Sequence, residues 1–154
     1  MIIQLEGQVA IVTGATAGIG KAIALQLAQS GAKVFAIGTN EQRGKEIESE
    51  QIVFHKADIS KKEQADQAIQ ACIDRFQKVD ILINNAGITK DQLFMRMKEE
   101  DWDAVFSINM KGSFYTSQAV MRPMLKARSG RIINISSVVG LMGNAGQTNY
   151  AASK

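Results

Sequence analysis

Tyr150 and Lys154 stand four residues apart in the run Tyr-Ala-Ala-Ser-Lys. At helical spacing, side chains at i and i+4 share a face, so an ammonium can lie beside a phenol. A free tyrosine, with a pKa of about 10, does little acid–base work at neutral pH. A neighbouring cation favours the phenolate and draws the group toward general acid–base catalysis. An isolated pair of this kind is ordinarily a solvated surface pair, but here other polar groups stand at supporting places. Ser136 and Ser137 follow an apolar run, and Ser137 precedes Tyr150 by thirteen positions across Gly140, Gly143 and Gly146, which reads as a flexible polar loop. Asn109 falls inside a long helical pattern, where an inward amide would anchor a water.

A second constellation is Thr13-Gly14-Ala15-Thr16-Ala17-Gly18-Ile19-Gly20, a G-x3-G-x-G spacing between an apolar run and a helical pattern. A pyrophosphate must approach unpaired backbone N–H groups at a helix N-terminus, and side chains there would block it. Glycine also permits positive φ in the tight turn and close helix–strand packing. The loop therefore points to a dinucleotide, the competing reading being a plain glycine-rich turn. A carboxylate about 20 residues on would hold a ribose 2′-OH. Here the second apolar run ends in Ile37-Gly38-Thr39-Asn40, and Glu41 comes only afterwards. Without an acid at that tip, repulsion against a 2′-phosphate is absent, and Thr39, Asn40 or Arg43 has a donor to offer it. NADP is expected over NAD, although Ala17 supplies no basic group inside the loop.

These groups need a scaffold. Val9 to Val12 is continuously apolar, as a strand covered on both faces requires. Helices are expected over 18–30, 41–49 and 61–77, with strands at 33–37, 52–54, 79–83 and 131–135. A helical stretch over about 99–127 reads as one or two segments, with Pro123 expected to kink or break it. A last helix begins near Tyr150. Such alternation predicts right-handed βαβ units and a doubly wound parallel α/β sheet, one Rossmann-type dinucleotide-binding domain over 1–154.

Taken together, T-G-x-x-x-G-I-G at 13–20, N-N-A-G at 84–87, Asn109, Ser137 and Y-x-x-x-K at 150–154 resemble the short-chain dehydrogenase/reductase family along the whole chain. Residues 84–91 with Arg96-Met97, and 136–140 through 143–150, look most like the 3-oxoacyl-acyl-carrier-protein reductases within it. The resemblance implies that Tyr150 would protonate a substrate carbonyl oxygen while NADPH delivers hydride to carbon. Lys154 would favour the Tyr150 phenolate and bond the nicotinamide ribose. Ser137 would hold the carbonyl oxygen, and Asn109 would fix a water in a proton relay. Gly14, Thr16, Ala17, Gly18, Ile19 and Gly20 would line the pyrophosphate site, and Thr39 the adenosine 2′ position. Asp58 and Ile59 would lie by the adenine, with Asn85, Ala86 and Gly87 along the adenine–ribose wall. Arg128 would contact an acidic acyl carrier protein, the competing reading being an ordinary cationic helix end. The implied reaction reduces a 3-oxoacyl-acyl-carrier-protein thioester to the 3-hydroxyacyl thioester in fatty acid biosynthesis. Alternatives are reduction of another small ketone, or a non-catalytic dinucleotide-binding module. A cytoplasmic homo-oligomer, a tetramer packed through the long helices, is implied as well.

Composition narrows the rest. The chain is 45% hydrophobic and 21% charged with a net charge of +3 and no charge block, which disfavours nucleic acid as the main partner. The single cysteine, Cys72, excludes an internal disulfide framework and reads as core; the lone histidine, His55, gives no metal site. No apolar run is long enough for a membrane span, and the first six residues carry no basic leader. Five strands where a doubly wound fold has about six, with Lys154 as the last of 154 residues, lead to one further expectation. The domain is expected to be incomplete at its C-terminus, with Tyr150 and Lys154 poorly held and activity low.

Overall fold

Strand β1 (Val9–Thr13) is buried at every position and forms the centre of the molecule. The computed structural model describes residues 4–154; residues 1–3, where the segment expected to carry no leader begins, lie outside the described residues. From β1 the chain passes through α1 (Gly18–Gln29), β2 (Lys33–Gly38), α2 (Glu41–Glu46), β3 (Ile52–Lys56) and α3 (Lys62–Phe76). It then returns to the other side of β1 as β4 (Ile81–Asn84), followed by α4 (Glu99–Phe106), α5 (Ser113–Ala127), β5 (Arg131–Asn134), α6 (Val138–Met142) and α7 (Thr148–Ser153). The sheet order is β3-β2-β1-β4-β5, all neighbours parallel. This is a doubly wound parallel α/β sheet, and the order reverses between β1 and β4. Such a reversal opens a crevice at the carboxyl ends of the strands.

The pleat sorts β1 into two cores. Val9 and Ile11 face α3 and α5, packing with Ile69, Cys72, Leu82, Val120 and Met124. Val12 faces the opposite layer with Ala24 of α1, Val34, Ile52 and Ile83. Burial on both faces is why the strand reads as unbroken apolar sequence rather than as an alternation.

Several expectations are corrected in detail. Helix α2 stops at Glu46 rather than 49, because Ile47 turns inward and Ser49 Oγ accepts the N–H groups of Gln51 and Ile52 to start β3. The 99–127 stretch is two helices joined by a π-helical segment, Ser107–Gly112. Helix α5 runs through Pro123 without a break. Burial of Val120 and Met124 on either side outweighs the local cost, about 3 kcal/mol, of proline inside a helix. The supposed flexible loop after Ser137 contains α6, because Ser137 Oγ accepts the Val139 N–H as a cap.

Candidate active site

A cleft of roughly 650 Å³ lies at the switch point between β1 and β4, within the size range of small-molecule and cofactor sites. The glycine loop, the ends of β2 and β3, the segment after β4 and the segment after β5 form its walls. Gly14, Thr16, Ala17, Gly18, Ile19, Thr39, Asp58, Ile59, Asn85, Ala86, Gly87, Ser137, Tyr150 and Lys154 all line it. Gly20, Asn109 and Arg128 do not.

The loop is built around backbone. Gly14 has φ +65, and a Cβ there would stand 2.8 Å from Ala86 Cα, so the turn after β1 and the segment after β4 touch at a position open only to glycine. Gly18, at φ +52, faces open space. Ala17 caps α1 without a side-chain hydrogen bond, and the first turn holds no acid. The leading N–H groups of the helix are thus left for an anion, the arrangement that suits a pyrophosphate. Gly20 serves packing instead: a Cβ would run into Asn85 Nδ2 and the Gly14 carbonyl. Its place in the sequence motif is correct, but it supports the loop from behind.

Thr13 heads the glycine run in sequence, but its role in organising the opposite wall is not visible there. Its fully buried hydroxyl accepts the N–H groups of Asn85 and Ala86 at 3.1 and 3.0 Å. Asn85 Nδ2 returns bonds to the Thr13 and Gly14 carbonyls at 3.0 and 3.4 Å. A hydroxyl ending a continuous apolar strand was the available signal.

At the β2 end, Thr39 is exposed to the cleft, whereas Asn40 Oδ1 is spent as the α2 cap on the Arg43 N–H. Glu41, the nearest acid, pairs with Lys45 at 2.9 Å and Lys56 at 3.3 Å. Those bonds hold its carboxyl below the ordinary range and raise Lys45. Asp58 Oδ1 accepts from the Ser60 N–H and hydroxyl, and the residue borders the cleft.

Expected to be poorly held, Lys154 is instead fixed at both ends. Its Nζ donates to the Ile135 carbonyl at 2.8 Å, and its own carbonyl accepts from Ser136 Oγ at 2.8 Å. Burial pushes its ammonium below the usual lysine range. Among the described residues the Tyr150 hydroxyl has no hydrogen-bonding partner, while its carbonyl accepts from Ser153 Oγ. Ser137 Oγ accepts from Val139 and keeps its own proton to donate.

Asn109 sits in the π-helical segment with its amide committed to protein. Its Oδ1 accepts the Ile88 N–H at 2.9 Å, and its Nδ2 donates to the Ile88 carbonyl at 3.1 Å and to Ser153 Oγ at 2.8 Å. It borders a second cavity of about 300 Å³ with Asn84, Ser113, Ser117 and Asn134, and Lys154 borders both spaces. Arg128 ends α5 at φ 51 and borders a separate shallow groove with Met121, Met124 and Leu125. Cys72 is buried, and its thiol is pushed up to about 12 by burial. Among the described residues no group of three His, Cys, Asp or Glu side chains is placed to hold a metal ion. No helix there is long and apolar enough to cross a membrane.

Residues 8–154 match the family model described as short chain dehydrogenase. The chain is 50% identical over 153 residues to the 3-oxoacyl-acyl-carrier-protein reductase of Vibrio cholerae, covering 97% of this chain and 63% of the relative. It is 44% identical over 157 residues to that of Thermotoga maritima, with 98% and 64% covered. For that of Synechocystis the figures are 46% over 157 residues, with 97% and 64% covered. The chain therefore spans less than two thirds of the length of these relatives.

Proposed function

Because this chain belongs to the short-chain dehydrogenase family, we propose that the protein is an NADPH-dependent reductase of 3-oxoacyl-acyl-carrier-protein thioesters. The observation that carries the reading is one cleft shared by an anion-ready glycine loop and by Ser137, Tyr150 and Lys154. Relatives 44–50% identical carry the reductase name.

The cleft fits the cofactor by its own construction. The uncapped start of α1 and the open space over Gly18 take the pyrophosphate. Thr39 would donate to the adenosine 2′-phosphate, and Asp58 and Ile59, which also line the cleft, would border the adenine. Glu41, neutralised by two lysines, offers little repulsion to that phosphate, which favours NADP over NAD. Asn85, Ala86 and Gly87 form the wall beside the ribose. When bound, NADPH supplies the hydride. Tyr150 gives its phenolic proton to the carbonyl oxygen, and Ser137 donates a hydrogen bond to the same oxygen as negative charge gathers there. Lys154 would bond the nicotinamide ribose and, as a cation, stabilises the phenolate left behind. It also borders the polar cavity next to Asn109, so a water there would return a proton to the site. Asn109 acts in this scheme by holding Ile88 and Ser153 in place.

The partner is a substrate tethered to an acidic carrier protein, with Arg128 as a contact. Met110, Phe114, Met121 and Leu125, spaced by four, seven and four residues, leave an apolar stripe exposed along the outer face of α5 and the turn before it. Monomeric proteins rarely leave such a face uncovered, which supports a homo-oligomer; by resemblance to the family, we take it as a tetramer in the cytoplasm, each chain one dinucleotide-binding domain. The test compares NADPH consumption with an acetoacetyl thioester and with a simple unactivated ketone. Faster turnover of the thioester supports the reading; a preference for the ketone moves the protein to another substrate class.

A further inference from the structure

We propose that Asn149 is a positioning residue that sets where the Tyr150 phenol stands in the cleft; the assignment rests on Tyr150 being the proton donor. The phenol is carried in the first turn of α7, where side chains from outside the intrahelical ladder can fix the backbone. The Asn149 side chain is 0% exposed although it is polar, and buried amides persist where their hydrogen bonds are made. Its Nδ2 donates to the Lys90 carbonyl at 3.0 Å, with a longer contact to the Asp101 carbonyl of α4 at 3.5 Å. Its Oδ1 accepts the N–H of Tyr150 itself at 2.8 Å, one of the donors that a first helical turn leaves without an intrahelical partner.

One amide thus joins the catalytic turn, the segment after β4 and helix α4. That segment also forms cleft wall through Ile88 and Thr89. It is anchored twice from within, at Ile88 by Asn109 and at Lys90 by Asn149. Other ties lie at the surface: Gln147 Nε2 to both Asp91 carboxylate oxygens at 3.2 Å, the Gln92 N–H to the Gly146 carbonyl at 2.9 Å, and a loose Lys90–Asp101 ion pair at 4.0 Å. Water competes for the exposed Gln147–Asp91 bond but not for the buried amide. Asn149 therefore couples the cofactor-side wall to the proton donor without reaching the cleft.

The test is Asn149→Ala, read by amide hydrogen exchange and by steady-state kinetics. Exchange should quicken at least tenfold over 88–92 and 148–153 and stay unchanged in β1 and β2. The kcat should fall ten- to a hundredfold, with KM and the NADPH dissociation constant within threefold. If the alanine variant does not fold, Asn149→Ser carries the test: its hydroxyl still accepts from Tyr150 but falls short of Lys90, and smaller changes of the same direction are expected. Unchanged local exchange, or a kcat within twofold of the parent in a folded variant, overturns the proposal. So does a loss that merely tracks the unfolded fraction. Should the unsubstituted protein fail to reduce an acetoacetyl thioester, the reductase reading fails, and exchange alone decides whether Asn149 fixes Tyr150.

Discussion

Gly14 and Gly18 both sit at positive φ, yet their surroundings differ, and alanine at each separates two functions of the glycine loop. At Gly18 a Cβ meets nothing within 4 Å. Its cost to the fold is the left-handed backbone alone, about 1–2 kcal/mol. At Gly14 the same strain is joined by a Cβ 2.8 Å from Ala86 Cα and 3.0 Å from Asn85 Nδ2. Backbone cannot swing aside as a flexible side chain can, so overpacking adds about 1–3 kcal/mol. Gly14→Ala should therefore lose about 2–5 kcal/mol. Urea denaturation measures both losses, and NADPH fluorescence titration measures affinity. Gly18→Ala should remain folded but bind NADPH at least tenfold more weakly, because its methyl occupies space the pyrophosphate must enter. Gly14→Ala should lose stability first and affinity with it. If Gly14→Ala costs no more than Gly18→Ala, the contact between the two walls is not what demands glycine. If Gly18→Ala keeps parental affinity, the pyrophosphate does not lie over α1.

Burial lowers the His55 pKa from its ordinary 6.5, so the unfolded chain binds the proton more tightly than the folded one. Stability is then fully present above pH 6.5 and falls as pH drops through the lower folded value; His55→Gln should flatten urea midpoints measured between pH 7.5 and 5, and an equal slope in the variant removes His55 as the cause. The Cys72 thiol, buried and pushed up to about 12, should be unreactive toward a disulfide reagent in the native protein and titrate as one thiol in denaturant; rapid native reaction would contradict its burial. Arg128→Glu should raise the apparent KM for a carrier-linked substrate several-fold and leave a carrier-free thioester unaffected. Equal kinetics on both substrates would leave Arg128 as an ordinary helix end. Arg128→Gly, which relieves a left-handed residue worth about 1–2 kcal/mol against glycine's chain-entropy cost of about 0.5–1 kcal/mol, should gain up to about 1 kcal/mol in urea unfolding, and a loss would mean that the guanidinium holds structure.

The parallel order and the cleft were legible because their causes are local. β1 must be apolar on both faces, and an anion loop must be stripped of side chains. That Tyr150 and Lys154 border one cleft was legible in the same way, since a spacing of four residues brings side chains to one side of a helical turn. What escaped depends on distant partners. The π-helical turn at 107–112 is bound up with Gly112, where a Cβ would come 2.7 Å from Ile59 Cδ1, a contact no window of sequence contains. Asn109 reads as a water anchor, but its amide is taken up by Ile88, twenty-one residues away. Gly20 belongs to the motif by spacing yet packs against Asn85, and nothing in the spacing distinguishes lining from support. Pro123 looks like a break when the burial of Val120 and Met124 is unseen.

The account stands most directly on Tyr150 as proton donor in a cleft that also binds NADPH. The deciding measurement is NADPH consumption with an acetoacetyl thioester by the protein and by Tyr150→Phe, with NADPH affinity measured on both. The account predicts turnover by the parent and a loss of about 10²–10⁴-fold in the variant, the range for removing a general acid, with affinity within threefold. Equal turnover by the two proteins, or a parent that binds no NADPH, would contradict it.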